Sequence, residues 1–474
     1  MRLIQNSAKL PKKVCYSPSM NEQTHRYDET HLPALRAKFQ CQVLASGDSE
    51  YDAARRVWNG MIDRKPAMVV RATGIADVMQ AVRIARDQML AVCVRGGGHS
   101  VAGKSVANDA MMIDLSLMNA VEINPRTRSA VAQGGVKFAE FDRECERYQL
   151  ATTGGVISST GVCGLTLGGG LGWLMGKLGL SCDNVISADM VSADGAHLTV
   201  SASQNEDLFW AIRGGGGNFG IVTALEFRLH PLQSVHGGLL LYPRSSATDL
   251  LRRYRDVTGN APDELTAYAA LMIGHGHPMV AIAMCHSGSH SKGANVSRQF
   301  YLTDPPAADL TGEKKYTEIQ SMLDVTAPAG LHYYFKCPFL RELTDEALRA
   351  IIEHAECLPT EQSQVILEHM HGAASRVPAT ETAFGLRRTQ YSINIIAAWN
   401  DPTMAEKCID WARGLASVLE GFGASDGYVN YLGDEGPAAV RASYGANYGR
   451  LAELKKKYDP GNFFQFNQNI LPTP

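Results

Sequence analysis

Apolar residues in the first half of the chain follow helical spacing in some segments and form short runs in others. Val78, Ala81 and Val82 fall on one face of a helix, which predicts an amphipathic helix over Ile75–Asp87. Short apolar runs on either side predict strands. The predicted strands are residues 68–70, 90–94, 111–115, 121–123 and 221–229, the predicted helices are residues 137–148 and 207–212, and a hairpin pairs residues 185–191 with residues 197–200.

The pattern changes at His230-Pro231, where longer strand-like segments begin to alternate with amphipathic helices. That alternation predicts one antiparallel sheet backed by helices, and the chain as a whole is predicted to be α+β. Residues 1–50 are polar and are predicted to form an irregular arm or a lead-in helix. The strands predicted after residue 231 are residues 238–242, 267–273, 280–285, 365–369 and 391–398, and the helices are residues 247–255, 345–357 and 404–419.

Composition excludes several classes of protein. A length of 474 residues with 45% hydrophobic and 20% charged residues indicates a globular protein of two or three domains. A net charge of -3 argues against nucleic acid as the main partner. We expect no membrane span, because no run of about 18 apolar residues occurs. Ten cysteines without a CxxC pair and an N-terminus without an apolar signal core favour a cytoplasmic protein without structural zinc.

Clustered glycines indicate a backbone wrapped round a ligand. Of the 45 glycines, many fall at residues 96–98, 168–172 and 214–217. The first cluster follows a predicted strand, and His99 comes directly after it. Glycine lets the backbone approach a flat, charged ligand closely, and a histidine beside such a ligand can act as a nucleophile.

Two glycine motifs match nucleotide-binding patterns by letter but not by context. Residues 98–105 fit the P-loop pattern, yet only six residues separate Lys104 from Met111, and a parallel crossover with its helix needs about 10–12. We therefore interpret Lys104 as a solvated loop residue. Residues 215–220 fit G-x-G-x-x-G, but a predicted helix precedes them and a strand follows, which is the reverse of the Rossmann order.

Two histidine pairs are candidates for metal binding by residue type alone. They lie at residues 275–277 and 369–371, each with one residue between the histidines. Neither has a matching carboxylate or cysteine pattern, so we expect ordinary loop or strand histidines and no metal site.

Four blocks, taken together and in order, resemble the berberine bridge enzyme-like flavoprotein oxidases, a family with the PCMH-type FAD-binding fold of the vanillyl-alcohol oxidase superfamily. The resemblance implies an FAD-binding domain over residues 1–235 with its core at about 62–232, a substrate-binding domain with an antiparallel sheet over residues 236–425, and a return to the first domain over residues 426–474. The blocks are residues 95–100, residues 153–174 with 179–185, residues 207–223, and residues 428–431 with 458–464 and 467–470.

The resemblance implies that FAD is held covalently, by a histidyl bond from His99 to the flavin 8α-methyl carbon. Many relatives add a cysteinyl bond, but in this chain the linking position falls on Ile157. We therefore expect one bond, with Cys163 as the alternative second link. Thr160 matches a position near flavin C4a that affects the approach of oxygen. The resemblance assigns cofactor binding to Arg95, Gly96, Gly97, Gly98, His99, Ser100, Gly155, Ser159, Thr160, Gly161, Gly164, Gly220, Ile221, Val222, Tyr431, Asn467 and Gln468.

The resemblance also implies a catalytic base and a substrate pocket. Tyr431 matches the usual base of the family, and Tyr428 is the second candidate. A phenol with its ordinary pKa of ~10 needs a cation, a hydrogen-bond partner or the oxidised flavin to assist it at neutral pH. The strand carrying Glu368, His369 and His371 is expected to face the substrate.

These expectations combine into an FAD-dependent oxidase, a monomer or homodimer, that acts on a small organic alcohol, amine or natural-product intermediate. A base takes a proton, a hydride moves to flavin N5, and O2 reoxidises the flavin with release of H2O2. The alternatives are a dehydrogenase of the same fold that cannot use oxygen, a flavin-binding protein without turnover, and a P-loop nucleotidase.

Overall fold

The computed structural model describes residues 32–424 and 427–473. Of the arm predicted over residues 1–50, residues 1–31 therefore lie outside the described residues. Residues 32–50 contain a short helix, α1 (Leu32–Arg36), and an edge strand, β1 (Gln42–Leu44). Leu35 is buried, so this lead-in segment packs on the fold.

The first sheet has four strands in the order β1-β2-β4-β3. The last three are parallel, and β1 is antiparallel to β2. The predicted helix Ile75–Asp87 forms with both of its bounds and buries Val78, Ala81 and Val82 against this sheet, as its periodicity requires. The strands are β1 (Gln42–Leu44), β2 (Met68–Arg71), β3 (Val92–Arg95) and β4 (Met111–Asp114).

The second sheet has five antiparallel strands in the order β5-β6-β10-β8-β9, beside a small two-stranded pair of β7 and β11. The predicted hairpin is confirmed, because Val185–Val191 pairs antiparallel with the strand that follows it. The strand at Ser129–Gln133 was not predicted. The strands are β5 (Val121–Asn124), β6 (Ser129–Gln133), β7 (Leu150–Ala151), β8 (Val185–Val191), β9 (His197–Ser201), β10 (Ile221–Arg228) and β11 (His230–Pro231).

The helices around these two sheets are short, apart from the helix after β2. They connect strands and carry the glycine loops between them. In chain order the helices of this half are α1 (Leu32–Arg36), α2 (Tyr51–Arg55), α3 (Ile75–Asp87), α4 (Phe138–Glu146), α5 (Val162–Leu167), α6 (Met175–Leu178) and α7 (Glu206–Ile212).

The third sheet has nine strands, and all of its pairings are antiparallel. The predicted α+β fold with an antiparallel sheet is thereby confirmed. His275 and Gly276 form the two-residue turn that joins the strand at residues 265–274 to the strand at residues 277–286, and both turn residues have positive φ. This placement agrees with the expectation of an ordinary loop histidine. The strands are β12 (Val235–Pro243), β13 (Leu265–Gly274), β14 (His277–His286), β15 (Ala308–Asp309), β16 (Gly312–Lys314), β17 (His332–Lys336), β18 (Phe339–Leu340), β19 (Gln364–Met370) and β20 (Gln390–Trp399).

Helices cover one face of this third sheet and leave the opposite face toward the first half of the chain. Leu250, Ile351 and Leu415, from three different helices, bury their side chains in one apolar layer with the sheet. The helix that follows Thr344 begins there because the Thr344 hydroxyl accepts a hydrogen bond from the amide of Ala347. The helices of this region are α8 (Ala247–Gly259), α9 (His290–Ser297), α10 (Tyr316–Gln320), α11 (Asp345–Ala355), α12 (Ala373–Arg376) and α13 (Ala405–Glu420).

The C-terminal segment adds α14 (Gly436–Tyr444) and α15 (Tyr448–Tyr458) and packs on the first half of the chain. The buried Lys455 ammonium pairs with Asp459 at 2.7 Å and donates to the carbonyl oxygen of Asn218 at 2.7 Å. These contacts join the C-terminal segment to the turn between α7 and β10. The domain boundaries given above stay a prediction. Within residues 32–424 and 427–473, no helix is both long and apolar enough to cross a membrane.

Candidate active site

A cavity of about 340 Å³ lies between the glycine loops of the first half and the free face of the nine-stranded sheet. This volume is within the range of small-molecule and cofactor sites. The C-terminal segment closes it through residues 428–432 and 464–468. Three regions that are far apart in sequence therefore build one site.

The first wall of the cavity consists of backbone. A Cβ atom added to Gly97 would lie 2.3 Å from the amide nitrogen of Gly161, and one added to Gly96 would lie 2.8 Å from the carbonyl oxygen of Gly134. Gly98 adopts φ +70°, a conformation that favours glycine. The loops meet so closely that side chains at positions 96 and 97 have no room.

This wall also presents unused amide groups. The amides of Gly97, Gly98, His99 and Ser100 donate to no other residue in the part of the chain that the structure describes, and all four residues line the cavity. Consecutive free N–H groups on a concave backbone attract anions such as phosphate. The loop therefore has the donors that the phosphates of a dinucleotide need.

His99 lies beside this loop with its ring fixed on two sides. Its Nε2 is 2.9 Å from the Ser159 hydroxyl oxygen, and its ring stacks on Trp58 with centroids 5.1 Å apart. Burial lowers the pKa of His99 to about 4, with a smaller contribution from the charge of Lys137. The imidazole is therefore neutral at pH 7, which leaves a nitrogen lone pair available as a nucleophile.

Most residues that the resemblance assigned to the cofactor line the cavity, with two exceptions. Arg95 points away: it donates to the carbonyl oxygens of Ala54 and Arg56, and its Nε lies 3.4 Å from Asp114. Ser159 contributes through its contact with His99. The lining residues among those predicted are Gly96, Gly97, Gly98, His99, Ser100, Gly155, Thr160, Gly161, Gly164, Gly220, Ile221, Val222, Tyr431, Asn467 and Gln468.

Cys163 also lines the cavity, as does Ile157 at the position where relatives carry the linking cysteine. The Cys163 side chain is buried, and burial raises the pKa of its thiol to about 12. The thiolate is the nucleophilic form of cysteine, so this group is poorly suited to form a bond with a cofactor at neutral pH.

The two candidate tyrosines have different surroundings. The Tyr431 hydroxyl donates to Oε1 of Glu368 at 3.2 Å. The Tyr428 hydroxyl accepts from the amide of Gly170 at 2.7 Å and from the side-chain amide of Asn430 at 2.5 Å. The Tyr428 hydroxyl is thus occupied in fixing the glycine loop, whereas that of Tyr431 is bonded to a carboxyl group of the opposite wall.

The second wall of the cavity consists of side chains on the nine-stranded sheet. Glu368 is buried there, and burial raises its pKa to about 7, although hydrogen bonds from Ser392 and Tyr431 lower it in part. Burial also raises the pKa of Tyr431 well above 10, and the Glu368 charge adds to this. Of the two groups, Glu368 is therefore the one that can hold or release a proton near neutral pH.

His369 and His371 were expected in the substrate pocket, and the structure places both outside the cavity lining. Successive side chains of a strand point to opposite faces, so Glu368 at the cavity directs His369 to the other face. There His369 stacks on Tyr391 at 4.6 Å between ring centroids. His371 follows the end of β19 and lies within hydrogen-bond distance of the carbonyl oxygen of Leu265, with Nε2 at 2.8 Å.

Aromatic rings that the sequence pattern did not reveal lie where the second wall meets the first. Trp58 stacks on Tyr333 with ring centroids 3.9 Å apart, and Phe335 meets Trp58 edge-on at 6.2 Å. Asn394 and Gln364 line the same face. No local sequence pattern identifies Asn394, because its strand β20 is buried along its whole length and the residue pattern does not show which face meets the cavity.

The two nucleotide-motif matches are placed as their context predicted. Residues 215–220 form the turn between α7 and β10, in helix-to-strand order. Residues 96–110 connect the parallel strands β3 and β4 through turns alone. Lys104, predicted to be a solvated loop residue, instead lines the cavity; it is partly exposed and forms an ion pair with Asp434 at 2.9 Å.

The residues of the site fit FAD. The free amides of residues 97–100 can donate to its phosphates. The closely packed glycine loops form a narrow slot, and the neutral imidazole of His99 lies beside it. The lining is mostly apolar, as a flavin ring system requires.

Two family models match the chain. The model described as an FAD binding domain matches residues 66–201, and the one described as berberine and berberine like matches residues 427–471. The first model covers the glycine loops at residues 96–98 and 154–172, and the second covers the C-terminal segment with Tyr428 and Tyr431.

Curated and solved proteins agree with this match. An FAD-linked oxidoreductase of Dictyostelium discoideum is 30% identical over 440 residues, which covers 91% of this chain and 94% of the relative. The crystal structure of 6-hydroxy-D-nicotine oxidase from Arthrobacter nicotinovorans has a TM-score of 0.85 at 26% identity and covers 92% of this chain and 98% of that one. Phl p 4, a grass pollen allergen with glucose dehydrogenase activity, has a TM-score of 0.84 at 22% identity over 93% and 99% of the two chains and shares the fold.

The site geometry, both family models and the full-length relatives lead to one conclusion. The chain belongs to the berberine bridge enzyme-like FAD-linked oxidoreductases.

Proposed function

We propose that this oxidoreductase is an oxidase that carries FAD bonded to His99, removes a hydride from a small organic substrate and passes the electrons to O2, giving H2O2. The observation that carries the proposal is the position of the Tyr431–Glu368 pair across the same cavity from neutral His99. A nucleophile for attachment and a proton acceptor for substrate oxidation thus share one site.

The surroundings of His99 support a single bond through Nδ1. Nε2 is hydrogen-bonded to the Ser159 hydroxyl, and Nδ1 has no partner within the described residues. In the tautomer that carries its proton on Nε2, the lone pair of Nδ1 is free to form a bond. Trp58 fixes the plane of the ring. The buried, protonated thiol of Cys163 supports His99 as the only attachment point.

The chain supplies a proton path to the buried carboxylate. We assign Tyr431 as the group that contacts the reacting N–H or O–H of the substrate and Glu368 as the final proton acceptor. Tyr431 on its own is a poor base because its pKa is raised well above 10. Its hydrogen bond to Glu368 lets it give up its proton as it takes one, so no free phenolate is needed.

FAD, when bound, supplies the hydride acceptor and the group that O2 reoxidises. The protein orients the ring system between the glycine wall and the side-chain wall and restricts the entry of water. Tyr428 contributes by holding the amide of Gly170 in place. The rest of the site therefore acts through position and electrostatics.

Oxygen use is the feature that separates this proposal from a dehydrogenase of the same fold. Thr160 lines the cavity at the position associated with oxygen access, and it is close in shape to the valine of oxidase-type relatives. The fold alone does not decide the matter, because a neighbour of the same fold is described by glucose dehydrogenase activity.

The test is the purified protein weighed intact under denaturing conditions, together with its visible spectrum. We expect a retained mass of one FAD in the wild type and in Cys163→Ala, and its loss in His99→Ala. Retention of FAD by His99→Ala would overturn the proposed attachment.

Turnover is followed separately, as peroxide release against dye reduction under air. Peroxide formed in proportion to the substrate oxidised supports the oxidase. Dye reduction without peroxide would establish the dehydrogenase instead.

A further inference from the structure

Two side chains hold the ring of His99, and both belong to other segments of the chain. The Ser159 hydroxyl oxygen lies 2.9 Å from Nε2, and Trp58 stacks on the ring with centroids 5.1 Å apart. An imidazole turns about its side-chain bonds unless its neighbours are themselves held in place. The contacts that fix Ser159 and Trp58 therefore decide how precisely His99 is oriented.

Asp324 fixes the residue next to Ser159. Its Oδ1 accepts from the amide of Ser158 at 2.7 Å, and its Oδ2 accepts from the Ser158 hydroxyl. Hydrogen bonds to a carboxylate are among the stronger ones, and this pair holds both the backbone and the side chain of Ser158. Because Ser158 and Ser159 are adjacent, Asp324 limits the movement of Ser159 as well.

Trp58 is held from the same part of the chain. Its Nε1 donates to the carbonyl oxygen of Ala327 at 2.9 Å, and its own carbonyl oxygen accepts from the amide of Gly330 at 2.9 Å. These two residues and Asp324 belong to the 323–330 connection, a stretch of chain between α10 and β17. Both contacts of the imidazole thus depend on one short segment.

The 323–330 connection comes from the half of the molecule that builds the second wall. It leads into β17 of the nine-stranded sheet, and Leu323, Thr326 and Ala327 line the cavity. His99 belongs to the first wall. The group that is proposed to bond FAD is therefore oriented from the opposite wall, and its orientation depends on how the two halves pack together.

We propose, resting on the covalent attachment proposed above, that the 323–330 connection holds His99 in the orientation that attachment of FAD requires, with Asp324 as the positioning residue. Asp324 acts on the imidazole through Ser158 and Ser159. Attachment then needs both walls, and a chain in which this connection is released binds FAD but bonds it slowly.

The bonding step shows why orientation matters. The lone pair of Nδ1 forms a bond to the flavin 8α carbon, one C–H bond of that carbon breaks, and the imidazole gives up the proton of Nε2. The flavin gains both protons and the electron pair of the broken C–H bond, and O2 then takes two electrons and two protons, giving H2O2. Until the bond forms, the Ser159 oxygen keeps the proton on Nε2 by accepting from it, and a turned ring loses both this contact and the approach of Nδ1.

The test separates FAD that is bonded from FAD that is only bound. After a short induction in cells, translation is stopped and the full-length protein is purified at intervals. Flavin absorbance of the native protein gives bound FAD, and intact mass under denaturing conditions gives bonded FAD. In Asp324→Asn we expect bound FAD and Tm close to those of the wild type, with attachment slower by about tenfold.

Two further sets of variants show whether the effect belongs to this contact. Ser158→Ala should slow attachment by a smaller factor, because the amide of residue 158 still donates to Asp324, and Ser158→Thr, which keeps a hydroxyl, should restore the wild-type rate. Asp304→Asn is the matched control at an exposed aspartate before β15, and it should attach FAD at the wild-type rate.

Each outcome decides the assignment. Attachment in Asp324→Asn at the wild-type rate, or equal slowing in Asp304→Asn, would overturn it while leaving the covalent bond to His99 intact. If Asp324→Asn loses its bound FAD, the serine variants decide, and equal rates in Ser158→Ala and Ser158→Thr would overturn the assignment. A wild-type protein that never retains FAD on denaturation would instead show that the proposed attachment itself has failed, and the role of Asp324 with it.

Discussion

The two walls of the cavity are built from opposite parts of the polypeptide. The wall toward the FAD-binding half is backbone, where Gly97 and Gly161 meet so closely that neither has room for a Cβ. The wall formed by the nine-stranded sheet is side chain, where Glu368, Asn394 and Tyr333 project from neighbouring strands. The shape of a backbone wall is tied to the fold, because its loops pass too closely to accept side chains. A side-chain wall can change from one member to another without changing the fold.

The largest effect is expected when a side chain is forced into the backbone wall. In Gly97→Val the new Cβ would lie 2.3 Å from the amide nitrogen of Gly161, so the two loops must separate. We expect a protein without flavin and with markedly lowered thermal stability, measured by the ratio of flavin to protein absorbance and by Tm.

Gly449→Ala is the matched control, because Gly449 is exposed in α15 and a Cβ there meets nothing within 4 Å. Its flavin content should equal that of the wild type. Full flavin content in Gly97→Val would refute the idea of a backbone wall.

The next effect concerns the proton acceptor of the side-chain wall. Glu368→Gln should reduce kcat on the order of 10²–10³-fold, the usual contribution of a general base. In the wild type the acceptor must be ionised, so activity should rise with pH through about 7, the pKa to which burial raises Glu368. A kcat profile measured from pH 5 to 9 should lose this limb in the variant. If kcat still rises with pH near 7 in Glu368→Gln, the titration belongs to another group.

A second buried carboxyl group, that of Asp142, lies behind the backbone wall and can be compared with Glu368. Asp142 accepts from Gln320, which also donates to the carbonyl oxygen of Gly155, and burial raises the Asp142 pKa to about 7. The folded protein then keeps a proton that the unfolded chain releases above its usual pKa of 3.8. Folding stability should therefore fall as pH rises from about 4 to 7, by an amount on the order of 4 kcal/mol from this group.

Asp142→Asn should remove that part of the slope in urea unfolding measured between pH 4 and 7. Because Asp142 does not line the cavity, the kcat limb near pH 7 should remain. Loss of the kinetic limb in this variant would mean that the two walls share one proton network.

The smallest effect is expected at the contact between the walls. Trp58→Phe keeps a ring against His99 and Tyr333 but loses the hydrogen bond from Nε1 to Ala327. We expect a loss of about 1 kcal/mol in the free energy of unfolding. Trp58→Ala, which also removes the stacking, should lose several times as much, on the order of 3–5 kcal/mol. Equal losses in the two variants would show that the stacking contributes little.

The same contrast explains which parts of the site the sequence revealed. Gly97 and His99 could be recognised from the sequence, because a glycine cluster followed directly by histidine indicates a ligand-binding loop. The spacing of Val78, Ala81 and Val82 likewise predicts a helix directly. Arg95 was predicted to contact the cofactor, but strand β3 ends at that residue and its side chain turns to the backbone of residues 54 and 56 instead of the cavity.

The side-chain wall was only half visible. Glu368 was selected together with His369 and His371, yet a strand directs neighbouring residues to opposite faces, and only the packing of helices on one face decides which residue meets the cavity. Trp58, Tyr333 and Asn394 come from three separate segments, and no local pattern joins them.

By itself the sequence determined the α+β class, most of the helices and strands, the glycine loops and the family, because each of these depends on residues close together in the chain. The tertiary structure decided the pairing of Tyr431 with Glu368, the partner of His99 and the face of β19 that lines the cavity. These depend on strand register and on contacts between residues tens to hundreds of positions apart, which periodicity and spacing do not encode.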